Sequence, residues 1–180
     1  MTRALALILV SALSLTLAAC GFTPVYGTYS QNAEVSKSLD GVYIDVIPDR
    51  TGQKLRNLLI DRMVADGRNA AVDSPYHLRV SGLTESIYGI GIAKDDTATR
   101  SQIRINAVMT LTDTRTPESK VAISRQLSAV ASFNTLASQY TTLVTEEDAR
   151  NQAIQELATN IVTQLELYFS NPAAFAQPSE

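Results

Sequence analysis

Apolar residues occupy every second position in Gln102-Ile-Arg-Ile-Asn-Ala-Val-Met-Thr-Leu-Thr112, and most of the intervening side chains are polar. Side chains of a β-strand point alternately to its two faces, so this pattern predicts a strand with one buried face. Weaker alternation predicts further strands at 76–92 and 121–129, separated by turns at 94–97 and 113–120. A change of phase beside Gly82 predicts a β-bulge in the first of them.

The segments around these three strands predict a fourth strand and two helices. Residues 42–47 alternate, with Val42, Ile44 and Val46 on one side. Residues 52–66 predict a helix with Thr51 as its N-cap and Gly67 after its end, because their leucines recur at helical spacing. The same spacing in 154–168 predicts a last helix, which opens with a capping box at 145–148 and stops before Pro172.

The order strand, helix, strand, strand, strand, helix predicts an α+β fold. A sheet with one apolar face needs a cover, and two helices that each carry one apolar stripe supply it. We therefore expect a two-layer sandwich, in which a four-stranded mixed sheet is covered by two helices in the order βαβββα. A chain of 180 residues with 45% hydrophobic side chains forms one such domain, here 41–170, followed by a disordered tail at 171–180.

The N-terminus has the pattern of an exported lipoprotein. Arg3 precedes an apolar run from Ala4 to Leu17, which is long enough for a signal peptide and too short to span a membrane. Leu17-Ala-Ala-Cys20 resembles the lipobox of bacterial lipoproteins, in which the signal is cut before the cysteine and lipid chains are attached to it. We expect 1–19 to be a signal peptide, Cys20 to be lipidated and 20–40 to form a tether or a strap on the domain. An ordinary cleavage site followed by a free thiol is the alternative.

The sequence offers little for catalysis, metal binding or nucleic-acid binding. The net charge is −3, without the basic excess that a nucleic-acid phosphate backbone requires. Once Cys20 is lipidated, the single histidine, His77, has neither a thiolate nor a second imidazole as a partner for a zinc site. Asp95 and Asp96 are adjacent carboxylates in a predicted turn, where solvation is commoner than catalysis. We expect no cofactor other than the covalent lipid.

Two sets of residues are candidates for binding. Arg100, Arg104 and Arg125 lie in the central strands and are able to pair with phosphate groups, although charged strand residues also serve to protect sheet edges. A local apolar run near the predicted turn is costly when exposed, so it is our candidate for protein contact. Its members are Ile87, Tyr88, Ile90 and Ile92.

Several motifs together resemble the LptE family of lipopolysaccharide (LPS) assembly lipoproteins, in its alphaproteobacterial form. Cys20-Gly-Phe-Thr-Pro-Val-Tyr-Gly27 is similar to the opening Cys-Gly-Phe-x-Pro-Leu-Tyr of that family, with Val25 in place of the usual leucine. The early helix rich in Leu and Arg, Thr-Ala-Thr-Arg100, Ser132-Phe-Asn and Thr-Leu-Val-x-Glu147-x-Asp-Ala-Arg150 are also similar. The resemblance covers nearly the whole chain after the signal.

This resemblance implies a non-enzymatic protein of the outer membrane. It implies that the chain assembles with and plugs the LptD β-barrel, contacts LPS, and is held by its lipid on the periplasmic side of the membrane. Two alternatives remain at this point. One is a periplasmic-facing lipoprotein that binds a lipid or regulates a cell-wall enzyme, and the other is a hydrolase that uses His77 or Asp95.

Overall fold

A computed structural model describes residues 31–64, 66–92, 98–135 and 139–175 of the chain. The elements follow one another as helix α1 (Gln31–Asp40), strand β1 (Val42–Ile44), helix α2 (Asp49–Met63), strands β2 (Tyr76–Ile92), β3 (Ala98–Asp113) and β4 (Lys120–Asn134), helix α3 (Gln139–Ser170) and a 3-10 turn (Pro172–Phe175). The predicted signal peptide, Cys20 and the turn at 94–97 lie outside the described residues.

The four strands form one mixed sheet in the order β1-β2-β3-β4. Strand β1 is parallel to β2, and the other neighbouring pairs are antiparallel. Helix α3 packs on β3 and β4, while α2 contacts α3 and β1, so the helices form a second layer. The predicted α+β class and the two-layer arrangement are confirmed.

The core lies between β3 and the apolar stripe of α3. All the apolar residues of β3 that were expected on one face are buried: Ile103, Ile105, Ala107, Met109 and Leu111. The stripe expected on the last helix is buried as well: Ile154, Leu157, Ala158, Ile161, Leu165 and Tyr168. The bulge in β2 is confirmed, because the register shifts between Ser81 and Thr84 and Gly82 has a φ of +62°. Glycine, which has no Cβ, adopts that backbone conformation at little cost.

The strand before α2 is shorter than predicted, and its alternation fails after Ile44. Strand β1 ends at Ile44, Val46 is 75% exposed and Ile47 is buried. A strand alternates only while it stays in the sheet. The chain leaves the sheet here, and Ile47 packs under the first turn of α2, where a Cβ on Gly52 would lie 2.6 Å from Ile47 Cγ2. Tertiary packing thus decides which side chain is buried.

Helix α2 is displaced by one turn from its predicted position. It begins at Asp49 after Pro48, so Thr51 lies in the first turn and does not cap it. It ends at Met63, and the Val64 N–H donates to Ile60 O at 2.9 Å. Gly67 has the expected left-handed conformation, with a φ of +68°, but in the turn that follows the helix.

Helix α3 begins at Gln139, well before the predicted capping box at 145–148, which is wrong as a helix start. Thr145 Oγ1 donates instead to the carbonyls of Thr142 at 3.0 Å and Asn134 at 3.2 Å. A threonine inside a helix commonly bonds back to the preceding turn, so the pattern does not by itself mark a start. The predicted stop before Pro172 is confirmed by the end of α3 at Ser170.

The segment predicted as a tether or a strap on the domain and the segment predicted as a disordered tail both contain a short helix. Helix α1 lies within the predicted tether, with Leu39 buried and Val35, one turn earlier, packed against the core. The 3-10 turn lies within the predicted tail, and its Phe175 ring is 5.9 Å from the ring of Tyr168. Val35 and Leu39 attach the first segment to the core, and Phe175 attaches the second. One or two apolar side chains are too few for periodicity to detect.

Candidate functional site

The side of the sheet opposite α2 and α3 is polar. Residues paired across neighbouring strands point to the same face, so the register identifies its members. Two lateral rows of this face are Ser86, Arg104, Val130 and Tyr88, Gln102, Ser132, and a third is Thr84, Asn106, Ser128. We call this surface the open face, because the helices whose packing the structure describes lie on the other side of the sheet.

The open face brings together two of the three predicted arginines. Arg100 and Arg104 are both exposed and lie on this face at the hairpin end of β3. Four residues separate them along the strand, which corresponds to about 13 Å. Their neighbours across the sheet are small or polar, apart from Val130. An anionic ligand lying along β3 could therefore contact both guanidinium groups.

Arg125 does not join them. It is paired with the buried Met109, so its side chain leaves the sheet on the helix-covered side. Its guanidinium lies over the ring of Phe175 at 5.8 Å, and Nη1 donates to the Ser124 carbonyl at 3.0 Å. The sequence already indicated that Arg125 lies on the helix-covered side, since it occupies a position of β4 where the alternation places an apolar residue. The proposed phosphate contact of Arg125 has no geometric support from this arrangement.

The predicted apolar contact residues lie at the hairpin end of the sheet and are exposed. Ile87 is 46%, Tyr88 50% and Ile90 51% exposed. They do not form one face, because Ile87 is paired with Ile103 on the core side and Tyr88 with Gln102 on the open face. Ile92 belongs to β2, but its side chain lies outside the described part of the structure.

The sequence analysis missed a second apolar group at the same end of the sheet. Tyr140, Leu143 and Val144 are exposed on the first turns of α3. Thr145 in the next turn donates to Asn134 O at the end of β4, which places these turns at the hairpin end. Their spacing of three and four residues was the available signal, since such residues share one side of a helix. We call Ile87, Tyr88, Ile90, Tyr140, Leu143 and Val144 the apolar tip.

An ion-pair network fixes α3 near this tip. The Arg150 guanidinium bonds Glu85 of β2 at 2.9 Å and Glu146 and Glu147 of its own helix at 2.7 and 2.6 Å. The hydrogen bond to Glu85 raises the pKa of Arg150 above its usual range. Lys54 of α2 donates to Glu147 at 2.7 Å, and this bond, followed by that of Arg150, lowers the pKa of Glu147. The network joins β2, α2 and α3, so its role is structural.

His77 is also structural, and it is less solvated than predicted. Its Nε2–H donates to the Val72 carbonyl at 2.9 Å, its Nδ1 is 3.7 Å from Asp45 Oδ1, and its ring lies 5.0 Å from that of Tyr43. Because Nε2 is bonded to a backbone carbonyl, it is not available to activate a nucleophile. Asp95 lies outside the described residues.

Within the described ranges, no group of three His, Cys, Asp or Glu side chains is placed to hold a metal ion. None of the helices in the same ranges combines the length and apolar character needed to cross a membrane. Two surfaces of the described structure are therefore considered as functional features: the open face with its two arginines, and the apolar tip.

A comparison with protein families identifies what these surfaces belong to. The family model LptE, described as lipopolysaccharide-assembly, matches residues 39–165. This range runs from the end of α1 to the last turns of α3 and contains the open face and the apolar tip. None of the curated proteins matches the sequence.

Solved structures with similar folds include several bacterial lipoproteins. A protein of Caulobacter crescentus described as a lipoprotein has a TM-score of 0.61 at 20% identity, and the match covers 77% of this chain and 97% of that one. A minor lipoprotein of Acinetobacter baumannii has a TM-score of 0.54 at 23% identity, and the match covers 70% of this chain and 88% of that one. The rare lipoprotein B of Shewanella oneidensis has a TM-score of 0.53 at 9% identity, and the match covers 72% of this chain and 95% of that one. At these identities the likeness concerns the fold alone.

The network around Arg150 predicts a stability loss that depends on pH. Arg150→Gln should lower the free energy of unfolding at pH 7 by about 1–3 kcal/mol, because partly buried carboxylates lose their charged partner. The lowered pKa of Glu147 means that its stabilisation is present above the unfolded value of 4.5 and is lost as pH falls through the folded value. The difference in free energy of unfolding between variant and parent should therefore shrink below about pH 4.5. Urea unfolding at several pH values measures it.

Arg68→Gln is the matched control for this experiment. Arg68 pairs with Asp66 at the surface, where its side chain is 84% exposed. Such a pair contributes little to stability, so the change should cost less than about 0.5 kcal/mol. Equal losses in the two variants, or an Arg150→Gln loss that does not change with pH, would contradict the structural role of the network.

Proposed function

Because the chain belongs to the LptE family of lipopolysaccharide-assembly proteins, we propose that it assembles with the LptD β-barrel of the outer membrane and plugs it. The family takes part in LPS assembly and is not a family of enzymes. The hydrolase alternative is therefore abandoned, in agreement with the position of His77. The barrel, the membrane location and the ligand contacts that follow are our proposals.

The polar open face is the observation that carries the plug proposal. The lumen of an outer-membrane barrel is polar and hydrated, whereas its lipid-facing side is apolar. A plug must therefore present polar groups laterally, and the open face offers rows of Ser, Thr, Asn and Gln on strands as long as 17 residues. A strand of that length extends about 55 Å, which is enough to traverse a barrel embedded in a bilayer.

The apolar tip supports direct contact between proteins at the hairpin end. Six large apolar side chains exposed at one end of a domain are costly in water and mark interaction sites. We propose that the tip contacts the barrel protein, so that the sheet enters the lumen hairpin first. The polar strands would then face the lumen wall along their length.

Arg100 and Arg104 are our candidates for LPS contact. Arginine forms bidentate hydrogen bonds with phosphate groups, and two such groups on one strand favour an extended polyanionic ligand over a single ion. No ion pair between either guanidinium and another described residue competes with such a ligand. We therefore place the LPS path along the hairpin half of the open face.

We further propose that lipid chains on Cys20 hold the protein in the outer membrane, facing the periplasm. The signal peptide at 1–19 would direct export, and cleavage before Cys20 would expose the acylated cysteine as the new N-terminus. Two or more acyl chains anchor a protein stably, whereas one binds only marginally. The anchor would keep the chain close to the barrel during assembly.

Site-specific photo-crosslinking in cells tests the plug. A photoreactive residue in place of Tyr88, in the apolar tip, should capture the LptD barrel, because that side chain is exposed at the leading end of the sheet. The same residue in place of Val72 is the control, since Val72 is 69% exposed but precedes β2 at the opposite end. Failure to capture the barrel from position 88, in a protein that accumulates and is lipidated, would contradict the proposal.

Charge reversal on the open face tests the ligand path. Arg104→Glu should weaken binding of purified LPS about tenfold, which corresponds to about 1.4 kcal/mol for one charge-assisted contact. Arg125→Glu makes the same change in charge on the other side of the sheet and should leave the affinity unchanged. Unchanged melting temperatures would show that both variants fold. Equal effects of the two variants would refute the assignment to the open face.

A further inference from the structure

Among the described strands, β4 has β3 as its one neighbour and so forms one edge of the sheet. In an antiparallel ladder every second residue of an edge strand turns its backbone N–H and C=O away from the sheet. Such an edge is able to pair with another chain unless it is covered or blocked. The two edges of this sheet differ in how these groups are satisfied.

The edge at β1 is capped by side chains. The Ile44 N–H donates to Asn69 Oδ1 at 2.9 Å, and Asn69 Nδ2 donates to Ile44 O at 3.0 Å. The Asn69 amide thus replaces the backbone of a neighbouring strand. On β4, side chains donate to the carbonyls of Ser124 and Ser128, but no side chain in the described part of the chain accepts a hydrogen bond from a β4 N–H. A carbonyl that already has one donor can accept another.

A groove runs along this edge at the end of the sheet opposite the hairpin. It has a volume of about 610 Å³ and lies between residues 120–125 of β4 and the segment that ends α3. Tyr168, Pro172 and Phe175 form its apolar wall. This edge is therefore bordered by an apolar surface on the helix side, unlike a strand edge in open water.

The charges available in the groove are positive. Lys120 and Arg125 line it and have no carboxylate partner among the described residues. The Asp113 carboxylate also lines it, but this group accepts hydrogen bonds from Arg115 Nε at 2.9 and 3.1 Å. A basic groove stands out in a chain whose net charge is −3. Charge complementarity therefore favours an acidic occupant.

We propose that this groove binds an extended acidic peptide segment of another protein, which adds to residues 121–125 as a fifth strand. The outward N–H and C=O groups of β4 would pair with its backbone, as in other cases of strand addition. The register of β4 against β3 shifts between Leu111 and Thr112, so Lys120 and Arg125, which pair with Asp113 and Met109, lie on the same side of the sheet. They are four ladder positions, or about 13 Å, apart, so carboxylates four positions apart on the segment match them. An apolar side chain between the carboxylates would contact Phe175. The site is independent of the proposed LPS path and barrel contact.

A lipid phosphate could meet the same two cations, but it would leave the backbone donors of β4 without a partner. A strand supplies both the negative charges and the backbone acceptors. The peptide is therefore the occupant that the groove favours, and the anionic membrane surface is the outcome that the test must separate from it.

The test is binding of a synthetic peptide to the full chain in detergent, followed by fluorescence anisotropy. The probe is a labelled eight-residue peptide with blocked ends, glutamates at its second and sixth positions, and threonine, valine and threonine between them. We expect saturable binding that weakens at least tenfold when both glutamates become lysines. Methylation of the central peptide nitrogens, which keeps the charge but removes the donors and the strand geometry, should also weaken binding at least tenfold.

The variants act on the protein side of the same contact. Lys120→Glu combined with Arg125→Glu should weaken peptide binding at least tenfold, while Arg68→Glu, an exposed charge reversal outside the groove, should leave it unchanged. The methylated peptide keeps the test valid if the double variant does not fold. Absence of saturable binding, or equal binding of the methylated peptide, would overturn the proposal. Loss of phosphatidylglycerol vesicle binding in the double variant, without peptide binding to the parent, would overturn it in favour of a membrane surface.

Discussion

The fold depends on the burial of one face of β3 under α3. Strand β3 lies between two other long strands, and its alternate apolar residues are almost completely inaccessible to water. Each fully buried large aliphatic side chain contributes about 1.5–3 kcal/mol relative to exposure, so this interface is the main source of stability that the sheet has. Because α2 and α3 both lie on this face, the other face is left for polar residues, and every functional proposal starts from that asymmetry.

The ion-pair network extends this arrangement toward the hairpin. The C-terminal two thirds of α3 are held by their apolar stripe, whereas Arg150 and its three carboxylate partners tie the earlier turns to β2. Those turns carry Tyr140, Leu143 and Val144, and the hydrogen bond from Thr145 to Asn134 of β4 also holds them at the sheet. Electrostatic contacts between partly buried groups thus help to place these exposed apolar residues at the end of the sheet that also carries Ile87, Tyr88 and Ile90.

Local periodicity was sufficient to predict the class of the fold, the buried parity of β3, the bulge at Gly82 and the stripe of α3. It failed where distant contacts decide the outcome. Ile47 is buried instead of Val46 because Gly52 of α2 allows its close approach. The early start of α3 was not predicted because its first turns bury few side chains and so lack an apolar stripe. The separation of Arg125 from Arg100 and Arg104 required the register between β3 and β4. The alternation of β4 indicated that Arg125 lies on the other side of the sheet, whereas residue type alone grouped all three arginines as one phosphate site.

The chain belongs to a family that works in LPS assembly, and its open face is suited to a hydrated lumen. The central claim is that the open face is free in the isolated lipoprotein and covered in the outer membrane. The most direct measurement is the rate of maleimide labelling of Asn106→Cys, a change in the middle of the open face, in a chain whose Cys20 carries the proposed lipid and so does not react. The account predicts rapid labelling of the purified lipoprotein and strong protection in the complex extracted with LptD. Equal rates in the two states would contradict it.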